Sequence, residues 1–232
     1  MSHIYNNIPL IEEAAVLLST LQAFVVPQLK TLLNKYRLES DFGIVLVHRH
    51  FALKSAEEQV VDVNGPGTLV SSVFSHGRPD SQVIHDYNLD IPSPFSIVPA
   101  KFLVRDELVP YEYKCVPKDD ENLYRLRTKR LPQKFLKDWY VILSRYRAQD
   151  KLGIIDLLTE EEIDGFEWTD TVRRLNVVTT RTDSVTLENY IPTLWQLRKD
   201  SKISRKCACN GRRPRKYPRV RLGDVSWKRI RV

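Results

Sequence analysis

The sequence is poor in cysteine. Three occur, Cys115, Cys207 and Cys209, an odd and sparse set that excludes a disulfide framework and fits a reducing compartment. It is also poor in glycine, with eight in 232 residues. None of them forms a glycine-rich phosphate loop, which disfavours a dinucleotide-binding or P-loop fold. No G-x-S-x-G elbow, H-E-x-x-H pair or kinase motif set is present. Long apolar runs are lacking too. The longest uncharged stretch, Ala14–Leu29, has 16 residues and includes Ser19, Thr20, Gln22, Pro27 and Gln28, whereas a membrane span needs about 20 apolar residues. Glu12 and Glu13 precede it, where a signal peptide would carry positive charge. The expectation is an intracellular chain, cytoplasmic or nuclear, with no membrane partner.

What is present is the composition of a globular domain, 42% hydrophobic and 28% charged. A chain of this length buries roughly 70% of its unfolded surface, so it needs neither disulfide nor metal to fold. The net charge of +7 is unevenly spread. Residues 198–232 hold fourteen Lys/Arg and two Asp, a net of +12, which leaves residues 1–197 at −5. Any nucleic-acid partner would therefore be met by the basic end alone.

Apolar spacing predicts the elements. Ile11, Ala14, Ala15, Leu18, Leu21 and Val25 recur at helical intervals over 9–25, and Pro9 suits a first turn. Pro27 starts or kinks a second helix, because an interior proline removes a backbone bond. Leu29, Leu32, Leu33 and Tyr36 give that helix one apolar face. A third helix is expected over about 131–148, buried through Phe135, Trp139, Ile142, Leu143 and Tyr146. Strands are expected at 43–51, 58–63, 68–74, 95–104, 109–116, 153–158, 165–169, 172–180 and 185–197. NGPG at 64–67 marks a turn between two of them.

An internal repeat organises these elements. LLNKYRLESDFGIVLV (32–47) aligns without gaps on ILSRYRAQDKLGIIDL (142–157), at an offset of 110. Leu33/Leu143, Tyr36/Tyr146, Arg37/Arg147, Gly43/Gly153 and Ile44/Ile154 are identical. Further on, VPAKFLVRD (98–106) resembles IPTLWQLRK (191–199) at an offset of 93, with Phe102 matching Trp195. The expected fold is α+β: two internally duplicated helix-plus-antiparallel-sheet halves, 1–125 and 126–205, in one compact domain. A basic C-terminal extension, 206–232, follows.

GIVLVHRHF (43–51) holds the leading candidate site, His48 and His50. If the strand runs to Phe51, alternation puts both imidazoles on one face with Ile44 and Leu46, and Arg49 on the other. Such a pair can polarise a substrate, act as acid or base, ligate a metal, or simply end a half-buried strand. A metal would need further ligands, and no spacing ties His76, His85, Asp62, Glu112 or Cys115 to the pair. No metal or cofactor is therefore expected. Arg49 can bind an anionic group or pair with a carboxylate. Glu112, in YEY, can orient an imidazole or stand solvated on an edge strand. His76 is a weaker candidate. Cys207-x-Cys209 is half of a metal grip at most. Arg212, Arg213, Arg215 and Lys216 read as a phosphate-binding patch, a nuclear import signal or a solubilising tail.

Gly43, Leu46, His48, Arg49, His50 and Phe51, preceded by FVVPQLKTLLNKY (24–36) and followed by PYEY (110–113), resemble a family of small uncharacterised proteins of filamentous fungi. That family carries a helix followed by a G-x-x-L-x-H-R-H-F strand. The resemblance brings no activity and so assigns no catalytic residue. Two functions stay open beside a third, a structural partner of some larger complex with no chemistry. One is a small cofactor-free enzyme or small-molecule-binding protein with a histidine-lined cleft, in fungal specialised metabolism. The other is a nucleic-acid or nuclear interaction protein acting through 198–232.

Overall fold

The computed structural model describes residues 2–55, 57–63, 68–75, 95–117, 119, 121, 131–157, 165–170, 174–179, 191–197 and 203–207. Helices α1 (Ser2–Asn6), α2 (Ile11–Ala15) and α3 (Leu18–Thr20) lead into a π-helical turn at Leu21–Val25. Helix α4 (Val26–Lys35) follows, with Pro27 in its first turn. The helical backbone runs through Val25 and Val26 without a break, so Pro27 lacks its N–H inside the run, and the π-helical turn before it accommodates the missing bond. The continuous helix expected over 9–25 is thus broken into short pieces. Helix α5 (Gln133–Arg145) starts after Pro132 and buries Phe135, Leu136, Trp139 and Leu143.

The strands are β1 (Phe42–Leu46), β2 (Glu57–Val63), β3 (Thr68–Ser75), β4 (Phe95–Val104), β5 (Leu108–Pro117), β6 (Leu152–Asp156), β7 (Gly165–Asp170), β8 (Leu175–Thr179), β9 (Ile191–Trp195) and β10 (Ile203–Cys207). They close into a barrel in the order β1-β6-β4-β5-β2-β3-β8-β7-β10-β9, with β9 returning to β1. Two adjacencies, β2–β5 and β7–β10, are parallel, which departs from the purely antiparallel halves expected. The hairpins β2–β3 and β4–β5 lie in opposite senses, so the strands that meet run the same way. Strand β10 was not anticipated. It pairs with both β7 and β9, so Lys206 and Cys207 belong to the barrel and not to the basic extension.

The segments aligned at an offset of 110 make the same local bonds. Arg37 and Arg147 both adopt a left-handed backbone, φ 56° and 53°. Arg37 N–H donates to Asn34 O and Leu38 N–H to Leu33 O; Arg147 N–H donates to Ser144 O and Ala148 N–H to Leu143 O. Both α4 and α5 therefore end in a Schellman cap. Strands β1 and β6 pair about Ile44↔Ile154, with Phe42↔Asp156 and Leu46↔Leu152 at the ends. That register maps onto itself when the copies are exchanged. Lys101↔Ile155 and Phe102↔Ile154 on one flank match Leu194↔Val45 and Trp195↔Ile44 on the other, which is the offset of 93. Exchanging β1–β5 for β6–β10 leaves the cyclic strand order unchanged except in direction.

Helices α2, α4 and α5 pack on the outer face of the barrel. Phe42, Ile44, Leu46, Leu152 and Ile154 join Leu29, Leu33, Phe135, Trp139 and Leu143 in one core, while Phe24 and Val141 on the far helix faces are exposed. Two cross-helix bonds brace α4 against α5: the Tyr36 hydroxyl donates to Asp138 and the Gln28 amide donates to the Tyr146 hydroxyl. These positions too correspond at an offset of 110. Alternate residues Val45, Ile155, Leu157 and Leu194 form a separate inward cluster. No helix among the described residues is long and apolar enough to cross a membrane.

Candidate functional site

Strand β1 ends at Leu46 rather than Phe51, and this decides where the histidines go. Beyond it the chain leaves the ladder, and only Arg49 makes a bridge, to Leu10. The imidazoles are therefore not on the helix-facing side with Ile44 and Leu46. They reach Glu167 on β7, a strand separated from β1 by β9 and β10. A short plug holds this segment in place. Tyr5 and Ile8 pack with Val47, Phe51, Leu53, Leu103 and Tyr111. Asn6 exchanges two hydrogen bonds with the Leu53 backbone, and His50 N–H donates to the Tyr5 hydroxyl at 3.1 Å.

His48, His50 and Glu167 are all buried, at 3%, 6% and 1% exposure. Their rings meet edge to face, 4.7 Å between centroids. His50 Nε2 stands 3.2 Å from Glu167 Oε1, and His48 Nε2 stands 3.9 Å from Glu167 Oε2. The opposite ring nitrogens are held as well. His48 Nδ1–H donates to Leu46 O at 2.9 Å, which fixes the neutral tautomer. His50 Nδ1 lies 3.1 Å from Thr169 Oγ1.

A chain of donors then orients His50. Asn176 Nδ2 donates to Glu167 Oε1, so its carbonyl oxygen faces Thr169, whose hydroxyl donates to it at 3.2 Å. The same hydroxyl oxygen stands against His50 Nδ1, so it links that ring to Asn176. Each imidazole thus turns Nε2 toward Glu167, with its Nδ1 bonded on the side away from the carboxylate.

Electrostatics follow from burial and neighbours. Burial, with the adjacent His50 ring, pushes the His48 imidazole down to about 3, so it is neutral at ordinary pH. Burial alone would raise the Glu167 carboxyl, but His50, Lys101 and His48 hold it well below the usual carboxylate range. Burial and the Glu112 charge raise the Tyr5 phenol.

Glu112 is neither solvated nor bonded to an imidazole in the way its alternation suggested. It is 1% exposed and pairs with Lys101 Nζ at 2.6 Å. Lys101 lies opposite Ile155, so this ion pair is on the barrel face away from the helices. Arg49 points elsewhere, into a cavity of about 410 Å³ lined also by Asn7, Glu13, Arg147, Gln149 and Lys151. Among the described residues no carboxylate pairs with it. His76, Arg212, Arg213, Arg215 and Lys216 lie outside the described residues, as do His85 and Cys209.

Glu167, Thr169, Asn176 and Lys101 were missed from the sequence. The only signal was a glutamate inside the strand FEWTD (166–170), spaced by two from a threonine and so on the same face. No protein-family model, curated protein or solved structure matches the chain.

Proposed function

We propose that this chain is a small-molecule-binding protein or enzyme whose working centre is the His48–His50–Glu167 cluster. The observation that carries this reading is the convergence of two imidazoles and one carboxylate, all buried, from the segment after β1 and from β7. A purely structural role fits poorly. Buried ionisable groups contribute less to stability than apolar residues of similar volume, and a chain of donors fixes both rings. An imidazole held between a hydroxyl and a carboxylate is arranged for proton transfer. The test is a small-molecule library screened for thermal shifts against the intact chain, His48→Ala and His50→Ala. Compounds that stabilise the intact chain should lose at least ten-fold in affinity with either variant. Unchanged affinity in both would remove the reading.

The alternative is nucleic-acid contact through 198–232, supported by a net +12 in that stretch. Its affinity would fall steeply with salt; no binding of duplex DNA at low salt would exclude it.

We also infer that the halves descend from one duplicated helix-and-strand unit. The matched caps, the self-mapping β1–β6 register and the exchange symmetry of the strand order support this.

A further inference from the structure

We propose that His48, His50 and Glu167 together hold one divalent first-row transition-metal ion. This rests on the reading of that cluster as the working centre, and it names what the centre takes.

The donor set is the first argument. Two imidazoles and one carboxylate suit zinc, iron, cobalt or nickel, whereas magnesium and calcium want oxygen ligands. Three protein ligands also leave a position open for water or substrate, the pattern of working rather than structural metal sites.

The second argument is distance. Taking one ligand atom from each residue, the three lie within 4.8 Å of one another, and the carboxylate presents Oε1 to His50 Nε2 at 3.2 Å and Oε2 to His48 Nε2 at 3.9 Å. Ligands at ~2.1 Å from an ion stand roughly 3–3.5 Å apart. A contraction of under about 1–2 Å, within side-chain adjustment, would close the shell around an ion.

The third argument is the outer shell. A metal-binding imidazole gives its other N–H to a carbonyl, hydroxyl or carboxylate, which fixes the tautomer that coordinates. Here Leu46 O does this for His48 and Thr169 Oγ1 stands against His50 Nδ1, while Asn176 holds the carboxylate. A rival account, a single proton shared between His50 and Glu167, explains the 3.2 Å contact. It gives no reason for His48 to be locked by its own backbone with Nε2 turned to the second oxygen of the same carboxylate.

The test uses the full chain, stripped with a chelator and titrated with Co(II), following visible d–d absorption and calorimetric stoichiometry. One Co(II) should bind per chain at micromolar concentration or below, and equimolar Zn(II) should displace it. His50→Ala and Glu167→Gln should each weaken binding at least 100-fold at unchanged far-ultraviolet circular dichroism, while His3→Ala, at the exposed His3, should change nothing. The intact-chain titration needs no variant to fold. Absence of a stoichiometric Co(II) spectrum up to millimolar metal would overturn the proposal, as would Glu167→Gln binding as tightly as the intact chain. If Co(II) fails to bind but the histidine variants still lose small-molecule ligands, the metal falls and the working centre stands. If Co(II) binds stoichiometrically and those ligands are retained by both histidine variants, the metal stands and the broader reading falls.

Discussion

Arg37 and Arg147 occupy a backbone conformation that disfavours every residue with a Cβ, and they do so at matching positions in the two helix caps. Glycine is the residue that normally closes a Schellman cap. Replacing Arg147 by Gly should therefore stabilise the chain by about 0.5–1 kcal/mol, the relief of left-handed strain less the extra freedom of an unfolded glycine. Urea unfolding reads this directly. The two matched glycines behave differently from each other. A Cβ at Gly153 would stand 2.4 Å from the backbone oxygen of Phe102, whereas one at Gly43 would meet only side chains, at 3.0 Å or more. A carbonyl in a ladder cannot move aside and a leucine methyl can. Gly153→Ala should cost about 1–3 kcal/mol, and Gly43→Ala distinctly less. Equal losses in chemical denaturation would show that the β4–β6 approach is looser than this.

Strand β2 opens with Glu57, which ties three segments together. Its carboxylate accepts two hydrogen bonds from Arg174, at 3.0 and 2.7 Å, and one from Lys54 N–H. Arg174 also donates to Ala52 O and lies over the Phe51 ring at 5.6 Å. The clamp thus anchors the far end of the histidine segment to the β7–β8 turn. Burial pushes the Glu57 carboxyl up, but Arg174 and the Lys54 N–H outweigh it and hold it below its ordinary 4.5. A carboxyl depressed in the folded state contributes stability that is present above its unfolded value and lost as pH falls through the folded one. The stability gap between the intact chain and Glu57→Gln should be full at neutral pH, then shrink as pH drops below about 4.5. A gap that is constant from pH 7 to pH 3 would show that the clamp acts through shape alone. Nine of the ten described strands and both long helices were legible because period-two and helical patterns report burial directly. The break at Leu46 was not. GIVLVHRHF keeps strand-like residues beyond the point where its backbone leaves the ladder with its neighbouring strands, and pairing is not written in the pattern of one strand.

Closure is a property of all ten strands together, and it explains why the working centre was only half visible in the sequence. His48 and His50 stand out as a near-adjacent pair, but Glu167, Thr169 and Asn176 come from a hairpin more than a hundred residues away, brought round by the barrel. Lys101 and Glu112 would cost several kcal/mol as separate buried charges. They are tolerated because neighbouring strands place them 2.6 Å apart. The same closure decides what truncation will do. Strand β10 fills the gap between β9 and β7, and without it two adjacent edges lose their partners. β7 also carries Glu167, so the histidine cluster depends on a strand that the composition alone would assign to the basic end. A chain ending at Cys207 keeps every described strand. A chain ending at Arg198 lacks β10. Removal of 208–232 should shift the thermal midpoint by no more than a few degrees, whereas removal of 199–232 should abolish the cooperative transition. The two truncations also separate the functional readings, because the shorter deletion strips Arg212, Arg213, Arg215 and Lys216 while leaving the barrel whole. If the chain ending at Arg198 melts as sharply and as late as the intact protein, β10 does not close the sheet, and the position of Glu167 beside the histidines must have another support.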